Sequence, residues 1–224
     1  MSMRMNTHMT SDAAWAELRA GNARFAAGDI RHPNTDKETL RSCSQGQRPF
    51  ACILACSDSR VPVDLIFDRG VGDLFVVQAA GNVWGDDLMG SAEYAIEHLA
   101  TPLLVVMGHN NCGMVKAVYD QGELGGHLAA ISKKIVPAVE AAKKTTASGQ
   151  AGKESALSPV DRAARINVWN AVEDALSNSS VIRARVQAGA CEVIGAFYWI
   201  DKGEVEWLGR HPRQDEILAG VEKT

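Results

Sequence analysis

Four short apolar segments, separated by stretches of helical pattern, limit what this chain can fold into more than any other feature. They are ACILA (51–55), LFVVQ (74–78), LLVVM (103–107) and CEVIGAFY (191–198). Continuous apolarity, without alternation of apolar and polar residues, is typical of parallel strands that are buried on both faces. Helical patterns lie at 87–100, from Gly113 to about Asp120, and at 126–143. This order predicts an α/β fold in which helices flank a central, mostly parallel sheet of four parallel strands.

Two segments near the ends of the chain complete the predicted architecture. EVEWL (204–208) alternates apolar and polar residues and follows the turn signal DKG. We therefore expect it to pair antiparallel with the preceding strand, at an edge of the sheet. Residues 12–28 place Trp15, Leu18 and Phe25 on one stripe, which predicts an N-terminal helical arm lying on the body or on a second subunit.

The polar residues 143–158 show little periodicity and predict a surface loop. We do not interpret them as a linker between domains, because the last apolar strand must still join the same sheet. The chain is 224 residues long, enough for a sizeable core. Residues 1–224 are therefore expected to form a single domain.

Composition excludes several classes of function. Hydrophobic residues at 46% and charged residues at 22% are typical of a soluble globular protein. The net charge of −4 lacks the basic excess of a nucleic-acid-binding protein. No apolar run approaches the roughly 18 residues of a membrane span, and residues 1–10 lack the apolar core of a secretory signal. We expect a cytoplasmic protein without nucleic-acid or membrane partners.

Ionisable residues are crowded directly after two of the predicted strands. CSDSR (56–60) follows the first strand, and GHNNCG (108–113) follows the third. Ligands usually bind beyond the carboxyl ends of adjacent parallel strands at a topological switch point. If these two strands are neighbours, Cys56, His109 and Cys112 converge there.

Two sulfurs and one imidazole are ligand types that zinc prefers. No convincing fourth protein ligand is found among the other cysteines and histidines, and three ligands with an open position are typical of catalytic zinc. The alternative is that the cysteines are buried core residues, since cysteine is among the most buried residue types. Asp58 and Arg60 would then form a surface ion pair near a helix start. Spacing alone leaves both interpretations open.

The two motifs resemble those of the β-class carbonic anhydrases, with C-S-D-S-R followed about fifty residues later by G-H-x-x-C-G. Further segments match that family in order: LRAGNARFAAG, IFDRGVGDLFVVQAAGN, GSAEYAIEHL and EVIGAFYWIDKGEVEWL. The resemblance covers nearly the whole chain. It implies zinc-dependent, reversible hydration of carbon dioxide to bicarbonate and a proton, with one Zn²⁺ per subunit.

The resemblance also implies a role for each site residue. The zinc ligands are Cys56, His109 and Cys112. The catalytic residues are Asp58 and Arg60, a dyad that orients zinc-bound hydroxide for attack. The substrate-binding residues are Gln47, Phe75, Tyr94 and the backbone amide of Gly113. A homodimer, often assembled further, is the smallest working unit, and both subunits line the pocket.

Within the family, the resemblance favours the plant-like (type I) pattern. Gln47 matches the substrate-binding glutamine of that type, and Ile53 stands where the second type carries a tryptophan. Gln78 replaces a common family arginine, which affects either the subunit contact or the pocket rim. Without the resemblance, Phe75 and Tyr94 would be core or interface residues and Gln47 a turn residue.

Two alternative functions remain open at this point. The first is hydrolysis of carbonyl sulfide or carbon disulfide, which are linear like carbon dioxide and would suit the same zinc site. The second is a non-catalytic zinc-containing binding module. The intact pair of Asp58 and Arg60 argues against this second alternative, because a structural zinc site has no use for an oriented carboxylate.

Overall fold

A five-stranded sheet lies at the centre of the protein. The structure, a computed structural model, describes residues 9–121, 124–147 and 157–220. Its strands are β1 (Ala51–Ala55), β2 (Leu74–Gln78), β3 (Leu103–His109), β4 (Glu192–Trp199) and β5 (Glu204–Gly209). They have the order β2-β1-β3-β4-β5. The first four strands are parallel and β5 is antiparallel to β4 at the edge, which confirms the predicted sheet.

Helices precede, connect and follow the strands. Those of the described residues are α1 (Ser11–Ala27), α2 (Lys37–Cys43), α3 (Val63–Ile66), α4 (Asp86–Glu97), α5 (Gly113–Gln121), α6 (Leu128–Ala147), α7 (Pro159–Asn178), α8 (Ser180–Gln187) and α9 (Gln214–Gly220). The predicted helical patterns correspond to α4, α5 and α6. Because α6 continues to Ala147, the predicted loop is wrong at its start. Residues 148–156 of that loop lie outside the described residues.

The two faces of the sheet form two separate cores, because side chains alternate along each strand. On β1, Cys52 and Leu54 face the core built from α4, α5, α6, α7 and α8. Ile53 faces the opposite core, which α1 and α3 cover. All of β1 and β3 is buried, as continuous apolar strands require.

Helix α1 packs on its own chain. Leu18 is fully buried, and Trp15 and Phe25 pack around the same core. Asn22, also buried, donates to the carbonyl oxygens of Ile66 and Gly203 at 3.2 and 2.9 Å. The N-terminal helix therefore packs on the body of its own chain, one of the two positions expected for it. None of the described helices combines the length and apolarity needed to span a bilayer.

Strands β1 and β3 are neighbours in the sheet, and this arrangement determines where a site can form. Their register pairs Ala55 with Met107, so β1 ends beside β3 two residues before His109, the last residue of β3. From β1 the chain goes first to β2 on one side and then to β3 on the other, which makes the gap between β1 and β3 a topological switch point. The loops that carry the two ionisable motifs leave the sheet at this point.

Candidate metal centre

Three metal-ligating side chains meet beyond the ends of β1 and β3. Cys56 follows β1, His109 ends β3, and Cys112 directly precedes α5. All three are buried, and their donor atoms lie within 4.8 Å of one another. The two sulfurs are 4.0 Å apart. Zinc–sulfur bonds of about 2.3 Å in a tetrahedral site place two sulfurs about 3.8 Å apart, so this spacing fits one ion.

The ring of His109 is oriented by its own loop. Its Nδ1 lies 2.8 Å from the carbonyl oxygen of Asn110, a contact in which Nδ1 carries the proton and donates. The other ring nitrogen, Nε2, is buried without a hydrogen-bond partner among the described residues. A metal-ligating histidine typically donates its other ring N–H in this way. The unpaired Nε2 is thus the ring nitrogen left available to a metal.

The two sulfurs lie close enough for a hydrogen bond, in which either could be the donor. The Cys112 thiol beside Cys56 lowers the pKa of Cys56, and the N–H of Gly81 acts in the same direction. That N–H donates to the Cys56 Sγ at 3.2 Å. The neighbouring sulfur and burial raise the pKa of Cys112. These opposite directions favour the thiolate form at Cys56, and a thiolate is the form of cysteine that binds a metal.

A carboxylate lies beside the three donors and is held by an arginine. Arg60 donates to both oxygens of Asp58, from Nε at 2.9 Å and from Nη2 at 2.7 Å. The same Nη2 donates to the carbonyl oxygen of Asn111 at 3.0 Å. Asp58 Oδ2 lies 4.0 Å from His109 Nε2. Because Arg60 hydrogen-bonds to it, the pKa of Asp58 is well below its usual range, so the carboxylate is ionised.

Phe75 and Tyr94 lie together, away from the metal cluster of their own chain. Their ring centroids are 6.2 Å apart, and Tyr94 is 47% exposed. Phe75 pairs in register with Cys52, four residues before Cys56. Four residues of strand extend about 13 Å. One chain therefore does not bring these aromatic side chains to its own metal cluster.

The other predicted residues occupy three different places. Gln47 is exposed and precedes β1, at the opposite end of that strand from Cys56. Gly113 is exposed at the first position of α5, directly after Cys112. Gln78, at the end of β2, donates to the carbonyl oxygen of Cys56 at 3.1 Å. Gln78, which stands where many members of the family carry an arginine, thus contacts the backbone of Cys56.

The sequence analysis missed two residues behind the cluster, both on α7. Asp161 accepts a hydrogen bond from the N–H of Asn111 at 2.7 Å. Asn167 donates to the carbonyl oxygen of Gly81 at 2.8 Å. The segment Ser158–Asp161 has the S-x-x-D pattern of a helix N-terminus, which could have revealed α7. No sequence pattern points from α7 to loops about fifty and eighty residues away.

Known proteins resemble this chain over most of its length. A family model described as carbonic anhydrase matches residues 51–205. The carbonic anhydrase of Mycolicibacterium smegmatis is 38% identical over 198 residues, which cover 87% of this chain and 91% of that protein. Carbonic anhydrase 2 of Mycobacterium tuberculosis is 37% identical over 195 residues, covering 85% and 89%.

Solved structures resemble the fold as well. A β-carbonic anhydrase of Aspergillus fumigatus, 27% identical, superposes with a TM-score of 0.70 over 94% of this chain and 95% of that one. One of two tetrameric β-carbonic anhydrases from Sordaria macrospora, 26% identical, gives a TM-score of 0.67 over 88% and 98%. The similarity therefore extends over both the sequence and the arrangement of the sheet.

Proposed function

Because the chain belongs to the β-class carbonic anhydrase family, we propose that it catalyses reversible hydration of carbon dioxide to bicarbonate and a proton at a zinc ion. Cys56, His109 and Cys112 would hold the ion. The observation that supports this most strongly is their convergence, with buried donor atoms within 4.8 Å and a histidine nitrogen left without a partner among the described residues.

Zinc in such a site lowers the pKa of water from 15.7 toward 7 and so supplies an oxygen nucleophile at neutral pH. As thiolates, Cys56 and Cys112 offset both positive charges of the ion. A site with two thiolates therefore polarises water less than one with three neutral imidazoles. The residues around the site must therefore compensate for this weaker polarisation of water.

Asp58 orients the nucleophile. Its ionised carboxylate accepts a hydrogen bond from the attacking oxygen and so directs a lone pair toward carbon dioxide. Arg60 keeps the carboxylate charged and, by donating to both of its oxygens, holds it beside the metal ligands without joining them. Oriented groups of this kind contribute roughly a hundredfold to a thousandfold in rate.

The substrate pocket is proposed to form between two subunits of a homodimer or larger homo-oligomer. Phe75 lies about 13 Å along the strands from Cys56 of its own chain, and the ring of Tyr94 lies beside that of Phe75. This placement agrees with a pocket in which they, with Gln47, serve the partner subunit. Gly113 begins α5, and its free N–H would face the substrate oxygens, as helix N-termini do for anions.

A stopped-flow assay with a pH indicator tests the proposal on purified, zinc-loaded protein. We expect fast hydration of carbon dioxide and slow or no hydrolysis of carbonyl sulfide and carbon disulfide. Hydrolysis of the sulfur compounds alone would assign the alternative substrate class. Zinc-loaded protein that turns over none of the three substrates would contradict any catalytic role.

A further inference from the structure

Helix α7 holds two loops beside the metal cluster, although it contributes none of the three donor atoms. Asp161 binds the loop between His109 and Cys112 through the N–H of Asn111. Asn167 binds the loop after β2 through the carbonyl oxygen of Gly81. Six residues separate Asp161 from Asn167, about 9 Å along a helix axis. One rigid element thus connects two segments that are distant in sequence.

Asn111 is held at both of its backbone groups. It lies between two metal-ligating residues with φ of +52°, in the left-handed region that L-amino acids rarely adopt. Its N–H donates to Asp161, and its carbonyl oxygen accepts from Arg60. Arg60 in turn holds Asp58. Asp161 therefore fixes the residue that anchors the arginine of the Asp58–Arg60 pair.

Gly81 is held in the same manner. Its φ is +74°, its N–H donates to the Cys56 Sγ, and its carbonyl oxygen accepts from Asn167. Asn167 is only 1% exposed, so its amide has little contact with solvent. Because the φ and ψ angles of Gly81 determine where both groups point, fixing the carbonyl also fixes the N–H that stabilises the sulfur.

Capping of α7 explains only part of what Asp161 does. Its backbone N–H donates to the Ser158 hydroxyl, and that hydroxyl donates to Oδ2 at 2.7 Å. These bonds satisfy the helix N-terminus. The bond from Asn111 to Oδ1 is not needed for the cap, and Asp161 is buried, 8% exposed. Oδ1 is thus directed at the metal-binding loop.

We propose that Asp161 and Asn167 are positioning residues for the metal site. Asp161 holds the loop of His109 and Cys112 in the shape that braces Arg60. Asn167 holds the N–H of Gly81 against the Cys56 sulfur. Neither touches the substrate or the reacting atoms. The inference rests on the zinc site of the proposed function, and it does not require that the substrate be carbon dioxide.

Zinc affinity, measured by competition with a chromophoric chelator, tests the role of Asp161. Asp161→Ala removes the acceptor for Asn111 and should raise the zinc dissociation constant about tenfold or more, as loss of such outer contacts does. Asp161→Asn keeps Oδ1 and should stay within about threefold of the wild type. Ser158→Ala is the matched control, because it weakens the cap of α7 and leaves the bond to Asn111 in place.

The zinc affinities of Asp161→Ala and Ser158→Ala decide whether Asp161 positions the metal-binding loop. Zinc affinity that falls in Asp161→Ala but not in Ser158→Ala supports positioning. Equal affinities in these two variants would reduce Asp161 to a helix cap and overturn the proposal for it. Asp161→Ser, too short to reach Asn111, gives the same comparison if the alanine variant does not fold.

Cobalt substitution tests the role of Asn167. Loss of the N–H bond to Cys56 should shift the sulfur-to-cobalt charge-transfer band of Asn167→Ala and raise its zinc dissociation constant about tenfold. Asn178→Ala is the control on the same helix, where the side chain is exposed and contacts Asp174 at 3.4 Å. An Asn167→Ala protein with the wild-type band and affinity would overturn this part.

These measurements also separate the inference from the proposed function. Wild-type protein that binds zinc and does not hydrate carbon dioxide would refute the function alone. The comparisons of affinity and absorption would still decide whether α7 positions the site.

Discussion

Replacing Asp58 by asparagine exchanges one carboxylate oxygen for an NH2 group and so tests the role assigned to the carboxylate. Asp58 accepts three N–H bonds from Arg60, two at Oδ1 and one at Oδ2. In Asp58→Asn, the amide oxygen can keep the two bonds at Oδ1. The amide nitrogen would replace Oδ2, 2.7 Å from Arg60 Nη2, where two donors would face each other. The variant side chain can no longer accept a hydrogen bond on that side.

The structural cost should be small and the catalytic cost large. The Arg60 side chain is 48% exposed, so solvent screens the pair and its loss should cost no more than about 1 kcal/mol of stability. Loss of an orienting group of this kind lowers rates by roughly 10²–10³. At about 1.36 kcal/mol per tenfold, this is roughly 3–4 kcal/mol of barrier. A catalytic effect at least twice the stability effect therefore identifies an orienting role.

Three measurements on one preparation test this prediction. Elemental analysis should find Asp58→Asn with the zinc content of the wild type, and urea denaturation should find it nearly as stable. Stopped-flow hydration of carbon dioxide should be slowed about a hundredfold or more. Asp120→Asn, which alters an exposed pair with Lys116 on α5, is the control and should behave as wild type. Zinc-loaded Asp58→Asn with nearly full activity would refute the reasoning.

Two further predictions concern stability. Gly81 has φ of +74°, and a Cβ there would lie 2.6 Å from Ile135 Cδ1, so Gly81→Ala should cost about 1–2 kcal/mol in urea denaturation. Gly90→Ala, inside α4 with no atom near its new Cβ, should instead gain about 0.5–1 kcal/mol of stability. Equal changes of stability in the two variants would contradict the argument that Gly81→Ala is strained. Burial lowers the pKa of His211. The unfolded chain therefore binds more protons below about pH 6.5, and stability should fall from pH 7.5 to 5.5. The stability of the variant His211→Asn, whose side chain can still accept the Arg213 N–H, should fall less over this pH range. An equal loss of stability in both proteins would exclude His211 as a cause.

The sheet could be predicted from the sequence because its strands are buried on both faces and therefore apolar throughout. The predicted bounds of β1 and β2 agree with the structure, and β3 extends two residues further, to His109. That extension includes His109, a proposed metal ligand, whose polarity conceals its place in the strand. The convergence of Cys56 with the His109 loop followed from the same reasoning, since parallel neighbours end at one edge.

Helix α7 escaped prediction for a physical reason. Its buried residues include Asp161, Arg162 and Asn167, which interrupt the apolar stripe that marks a helix in sequence. Asp161 and Asn167 find partners in loops 50 and 86 residues away. Such pairs depend on the folded arrangement, and no local pattern encodes them.

The central claim is that Cys56, His109 and Cys112 together bind one zinc ion. Elemental analysis of freshly purified protein, prepared without chelators, tests it most directly. We predict one zinc per chain in the wild type and in Cys43→Ser, whose half-buried sulfur lies beside Gly72. Cys112→Ser should retain almost none. Wild-type protein without a transition metal, or Cys112→Ser with undiminished zinc, would contradict the claim.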